Sequence, residues 1–145
     1  DFTVEFEPSA TALEKQGAGY VVASLGVDSG YVPYTSYSAK TSYMEKNPEI
    51  VQKFTDALQK GMDFVQSHTP EEIAEIIKPQ FPETDLDTIT AIVKRYYDQD
   101  TWKENLVFRQ DGFELLQDIL EDAGELKERT PYAELVNTEF AQNAS

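Results

Sequence analysis

Cysteine is absent from the chain. Disulfides, thiolate nucleophiles and cysteine-ligated metals are therefore excluded, and the redox compartment is left open. Histidine occurs once, at His68, and tryptophan once, at Trp102. A Ser-His-Asp arrangement would have to be built around His68, yet no nucleophile-elbow sequence is present. His68 falls instead at the expected C-terminal end of a long helix, where the dipole favours a partly charged imidazole. Neither a G-x-G-x-x-G turn nor a P-loop occurs, so no cofactor is expected. Basic residues are scarce: 12 Lys and Arg against 27 Asp and Glu give a net charge of −15. Phosphate backbones and anionic lipid are repelled by that balance, so nucleic acid is not an expected partner. Its plain consequence is solubility. Apolar runs long enough to span a bilayer, internal repeats and low-complexity tracts are also missing.

What the chain does contain fits one ordinary domain. Its 145 residues, 40% hydrophobic and 27% charged, can bury a core. It begins at Asp1 without a methionine, signal peptide or transit peptide, and is read as processed or as a fragment. Phe2, Val4 and Phe6 alternate with polar residues, which predicts a half-buried strand. "EPSATALEKQG" predicts a short helix opened by Pro8 and closed by Gly17, and "GYVVASLG" a second strand. Together they predict a βαβ unit. From Asn47 the pattern is helical. One helix carries Ile50, Phe54, Leu58, Met62 and Val65; a second opens at the capping box Thr69-Pro70-Glu71-Glu72. A third is marked by Leu86, Ile89, Val93 and Tyr97, a fourth runs from near Asp111 to Gly124, and a short one follows Thr130-Pro131. The fold class read from these periods is α/β.

Sites that carry chemistry are few. Asp98-Gln99-Asp100 fails as a calcium loop, because Lys103 and Arg109 stand where glycine and glutamate are required. No catalytic residue and no metal ligand is assigned, and the chain is not read as an enzyme. Glu7 beside a helix N-terminus suits the backbone N–H groups there. Glu5, on the strand face opposite Phe2, Val4 and Phe6, suits an amino or amidine-like ligand group equally well. The run "GYVPYTSYSAK" sets Tyr31, Tyr34 and Tyr37 among Thr35, Ser36 and Ser38. Such rings can wall a flat ligand while the hydroxyls supply hydrogen bonds, or they can pack half-buried with their hydroxyls in water. Strict alternation would divide them, with Tyr31, Thr35 and Tyr37 on one side and Tyr34 and Ser36 on the other. Trp102 is read as packing against neighbouring helices.

The order of pieces resembles the C-terminal half of an ABC-transporter solute-binding protein. The similar group binds thiamine-precursor pyrimidines, aliphatic sulfonates, taurine and nitrate. The features that carry the resemblance are the Glu7-Pro8 helix start, the Gly17 to Gly26 strand and the crossover to a T-x-Y strand. "KNPEIVQKFTDALQKGMDFV" and "HTPEEIAEII" follow in order. The resemblance implies a partial periplasmic-binding-protein-like II fold: a βαβ piece, a crossover strand and a helical remainder. Residues 1–28 would end a second lobe, 29–38 would be a hinge with Gly30 and Pro33, and 39–145 would return to the first lobe. It further implies a cleft that captures a small molecule for an ABC permease, outside the cytoplasm, in the periplasm or anchored at the cell surface. Ligand-binding residues would be Glu5, Glu7, Tyr31, Tyr34, Thr35 and Tyr37, which suit a nitrogen-rich ring such as an aminopyrimidine. The parent would be monomeric, whereas the fragment would self-associate through uncovered edges. A stand-alone helical protein-interaction module is the alternative function.

Overall fold

The computed structural model describes residues 1–145, and it contains helices and no strand. The chain divides into two compact units, one of residues 1–28 and 64–103, the other of residues 29–63 and 104–145. No helix is long and apolar enough to cross a membrane.

In the first unit, α1 (Ser9–Lys15) and α2 (Leu25–Asp28) precede the end of α4 (Pro48–Ser67), then α5 (Pro70–Ile77), a 3₁₀ turn (Lys78–Gln80) and α6 (Leu86–Asp98). The capping box forms as its residues require: Glu72 N–H donates to Thr69 Oγ1 at 3.3 Å, and Thr69 N–H to Glu72 Oε2 at 2.9 Å. Helical spacing then puts Ile73, Ala74 and Ile77 on one face of α5 and Ile89 and Val93 on one face of α6. Those faces meet in a small core, ringed by Phe64, Val65, Tyr97 and Trp102. Each buried aliphatic there contributes about 1.5–3 kcal/mol. Trp102 packs against this core.

The second unit holds α3 (Thr41–Lys46), residues 48–63 of α4, α7 (Gln110–Asp122), α8 (Tyr132–Leu135) and α9 (Glu139–Gln142). Phe113 of α7 is buried between Phe108 and Tyr132, with ring centroids 6.2 and 5.6 Å away. The Tyr132 hydroxyl donates to the Phe108 carbonyl. Glutamine amides fasten α4: Gln59 Nε2 donates to the Glu104 carbonyl, and Gln52 Nε2 to the Phe140 carbonyl, each at 3.0 Å. The long helices thus lie where periodicity and caps place them.

The α/β expectation is overturned. Residues 1–6, 19–24 and 29–40 contain neither ladder nor helix, so the βαβ piece and the crossover strand do not exist. Phe2 is 91% exposed and Val4 70%, although alternation had assigned them to a core face. The reason is partnership. A strand's N–H and C=O groups are satisfied by neighbouring strands, and an isolated pair is marginal in water. Period-two patterning records a need for a covering surface, which no other part of this chain supplies. The chain turns helical only at Thr41, beyond the supposed crossover.

Candidate functional site

The tyrosine run lies in the second unit, and its backbone is seated on the first turn of α7. Gly30 has φ +79°, the left-handed region that glycine enters freely, and a Cβ on it would lie 3.5 Å from Leu115 Cδ2. Val32 N–H closes back on the Gly30 carbonyl at 2.9 Å. Gly112 of α7 makes the close approach possible: a Cβ there would stand 2.9 Å from the Tyr31 carbonyl oxygen and 3.4 Å from Pro33 Cδ. Val32 and Pro33 are half-buried. Beyond them the side chains turn outward: Tyr34 is 81% and Tyr37 76% exposed, and Thr35 and Ser36 are exposed too. Burial therefore does not divide the run into the two faces that alternation implied. Tyr37 stands edge-on to Phe54 of α4, with centroids 5.1 Å apart and an interplanar angle of 80°.

Charge is present beside Tyr31. Arg109 donates through Nε to Asp111 Oδ1 at 2.9 Å and through Nη2 to Oδ2. That fork raises the Arg109 pKa, with a smaller contribution from Tyr31, and it lowers the Asp111 carboxyl. The segment thus combines a fixed root with exposed rings and hydroxyls. Tyrosine has few rotatable bonds, so such rings can stack on a planar solute at small entropic cost.

The two predicted carboxylates lie in the first unit and differ sharply. Glu5 is exposed and accepts from Thr3 Oγ1 at 3.4 Å. Glu7 has a side chain only 7% exposed, ion-paired with Arg95 of α6. Its second oxygen accepts the Thr11 N–H at 3.1 Å, inside the first turn of α1. Arg95 also grips Glu14, whose other oxygen accepts the Val21 N–H at 2.8 Å. Those contacts hold the Glu14 carboxyl below its ordinary range, led by the Val21 N–H and then Arg95. Glu7 is thereby committed to joining α1 to α6.

Arg95 and Gly112 were not singled out in the sequence, and Arg109 only as a residue that rules out a calcium loop. A signal existed for each. In a chain this acidic, arginines are scarce and surrounded by carboxylates; a glycine inside a helical pattern is a place to look for a close approach, which Gly112 makes and Gly61 does not. A separate open depression of about 510 Å³ in the second unit, lined by Gln59, Asp63, Asn105 and Gln142 among others, contains none of the predicted residues. No cluster of three or more metal-ligating side chains is present.

Comparison with known proteins bears on the same stretch. Residues 6–73 match the model of a family described as NMT1/THI5 like. Over 140 residues, 97% of the chain, it is 41% identical to YtlA of Bacillus subtilis (strain 168), named a candidate binding protein. The chain spans 42% of the length of that curated relative. No solved structure matches it. The family match takes in Glu7, the tyrosine run and α4, and it leaves Glu5 one residue outside.

Proposed function

We propose that the chain is part of the substrate-binding component of an ABC importer, a reading supported by the match of residues 6–73 to the family described as NMT1/THI5 like. It captures a small organic solute and presents it to a membrane permease, outside the cytoplasm. The observation that supports this most is the tyrosine run, whose backbone is locked onto α7 while Tyr34, Thr35 and Tyr37 stay in solvent. Large exposed rings on a fixed segment serve binding better than folding.

Tyr31, Tyr34, Thr35 and Tyr37 are assigned to the ligand, with Glu5 as a carboxylate for an amino group. Gly30 and Pro33 form the hinge, between an end of one lobe at residues 1–28 and the return to the other at 39–145. Glu7 enters through the clamp it makes with Arg95 and Glu14. Rings and carboxylates favour a flat, nitrogen-rich solute of the aminopyrimidine type over an anion, which would call for guanidinium or helix N-termini.

The test is a thermal-shift screen on the product of the complete reading frame, against thiamine pyrimidines, sulfonates, taurine and nitrate. A solute at a hundred times its Kd stabilises by about 2.7 kcal/mol, so the midpoint should climb with concentration. The expected hit is an aminopyrimidine. Exposed Val22 and Leu25 favour a second reading, a helical interaction module. Silence from every solute, together with capture of a specific protein, would establish that reading instead.

A further inference from the structure

We propose that the C-terminal end of α6 carries a binding site for a small ammonium-type cation, walled by Tyr96, Tyr97, Asp100 and Trp102. The site lies within the first unit and is independent of the tyrosine run. α6 closes with the Asp100 N–H donating to the Tyr97 carbonyl at 2.9 Å and the Thr101 N–H to the Tyr96 carbonyl at 3.0 Å. Asp100 itself sits at φ +52°, a conformation glycine adopts without strain and a residue with a Cβ does not. The turn brings Trp102 back over the helix end. Its ring lies 5.7 Å from that of Tyr96 at 72° and 5.6 Å from that of Tyr97 at 89°.

Between them is a cavity of about 50 Å³, lined by Gln66, Tyr96, Tyr97, Asp100 and Trp102. The walls are fastened. Gln66 Nε2 donates to the carbonyls of Trp102 and Lys103 at 3.0 and 3.3 Å. The Tyr97 hydroxyl donates to the carbonyls of Val65 and, at 2.9 Å, His68.

Several features of this corner favour positive charge; Lys103, the Arg95 guanidinium near Tyr96 and the N-terminal end of α5 oppose it. Ring faces attract cations, Asp100 contributes a carboxylate, and α4 and α6 both end here with the negative ends of their dipoles. Lys103 shows the preference within the chain: its ammonium lies 2.6 Å from both the carbonyl and Oδ2 of Asp100. A single lining carboxylate is too few for a divalent metal, whereas π faces suit a weakly hydrated, partly apolar cation. The volume admits a group the size of methylammonium, about that of one or two waters.

Trp102 is the only tryptophan, so its fluorescence reports this site alone. Methylammonium chloride should replace sodium chloride in a titration at constant ionic strength. A saturable change in Trp102 emission is expected. Asp100→Asn should weaken it about tenfold, while Asp98→Asn, which removes the same charge nearby without lining the cavity, leaves it unchanged. Should Asp100→Asn fail to fold, Tyr96→Leu, which removes a ring but no charge, is expected to weaken it as well. A linear, unsaturable response in the wild type, or equal loss in Asp98→Asn and Asp100→Asn, overturns the proposal.

Discussion

Gly112 is the residue at which one methyl group matters most. In a helix interior alanine gains about 1 kcal/mol over glycine. Here the added carbon would stand 2.9 Å from the Tyr31 carbonyl oxygen, a backbone atom that cannot rotate aside. Overpacking of this kind costs about 1–3 kcal/mol, so the clash wins. Gly112→Ala should therefore lower the unfolding midpoint and free residues 30–33, read as faster chymotryptic cleavage at Tyr31 and Tyr34. Gly61→Ala on α4 is the control, since a Cβ there meets nothing within 4 Å; it should be neutral or stabilising. Equal behaviour of the two variants would show that the segment is not seated on α7. At this scale the sequence was partly readable. The helix-start role of Glu7 followed from its place before Pro8, whereas its bond to Arg95 joins residues 88 positions apart. No local pattern encodes a contact of that separation.

Elements were readable where their ends carry their own partners. The capping box of α5 is such a case, whereas α6 was read from its apolar residues alone. At the start of α6, Asp85 accepts the Thr88 N–H at 2.9 Å and the Thr88 hydroxyl at 2.6 Å, with Lys15 Nζ 3.3 Å away. Those contacts, the Thr88 hydroxyl foremost, lower the Asp85 pKa from 3.8 to about 2. A depressed carboxylate stabilises the fold above its unfolded value and loses that contribution as pH falls through its folded value. The loss belongs to the window between about pH 4 and pH 2. Asparagine retains the capping oxygen but cannot titrate. An acid-denaturation curve of Asp85→Asn should thus be shallower than wild type in that window, with residual slope from Glu14, Glu72 and Asp111. Superimposable curves would remove Asp85 from the account. The same reasoning explains the failed strands. Phe2, Val4 and Phe6 have the alternation, yet a strand's bonds lie in another segment, and a five-residue pattern cannot say whether that segment exists. Thr41–Lys46 was missed for the converse reason: it lacks both a side-chain cap and a buried residue.

For the whole molecule, composition excluded more than it assigned. The charge of −15 weighs against nucleic acid, and the missing cysteine removes thiol chemistry and cysteine-ligated metals. The order of the segments from Glu7-Pro8 to "HTPEEIAEII" carried the resemblance over the stretch that the family model matches. The α/β reading failed because a sheet is a property of all its strands together, and no segment of this chain pairs with another. Solute capture by the tyrosine run is the central claim. Its most direct test is isothermal titration of the complete reading-frame product with the aminopyrimidine that stabilises it, in wild type and in Tyr34→Ala. With a ring 81% exposed, the substitution should leave the unliganded midpoint within about 0.5 kcal/mol in stability while weakening the solute about tenfold or more. Undiminished affinity in Tyr34→Ala, or no heat from any solute, would contradict it.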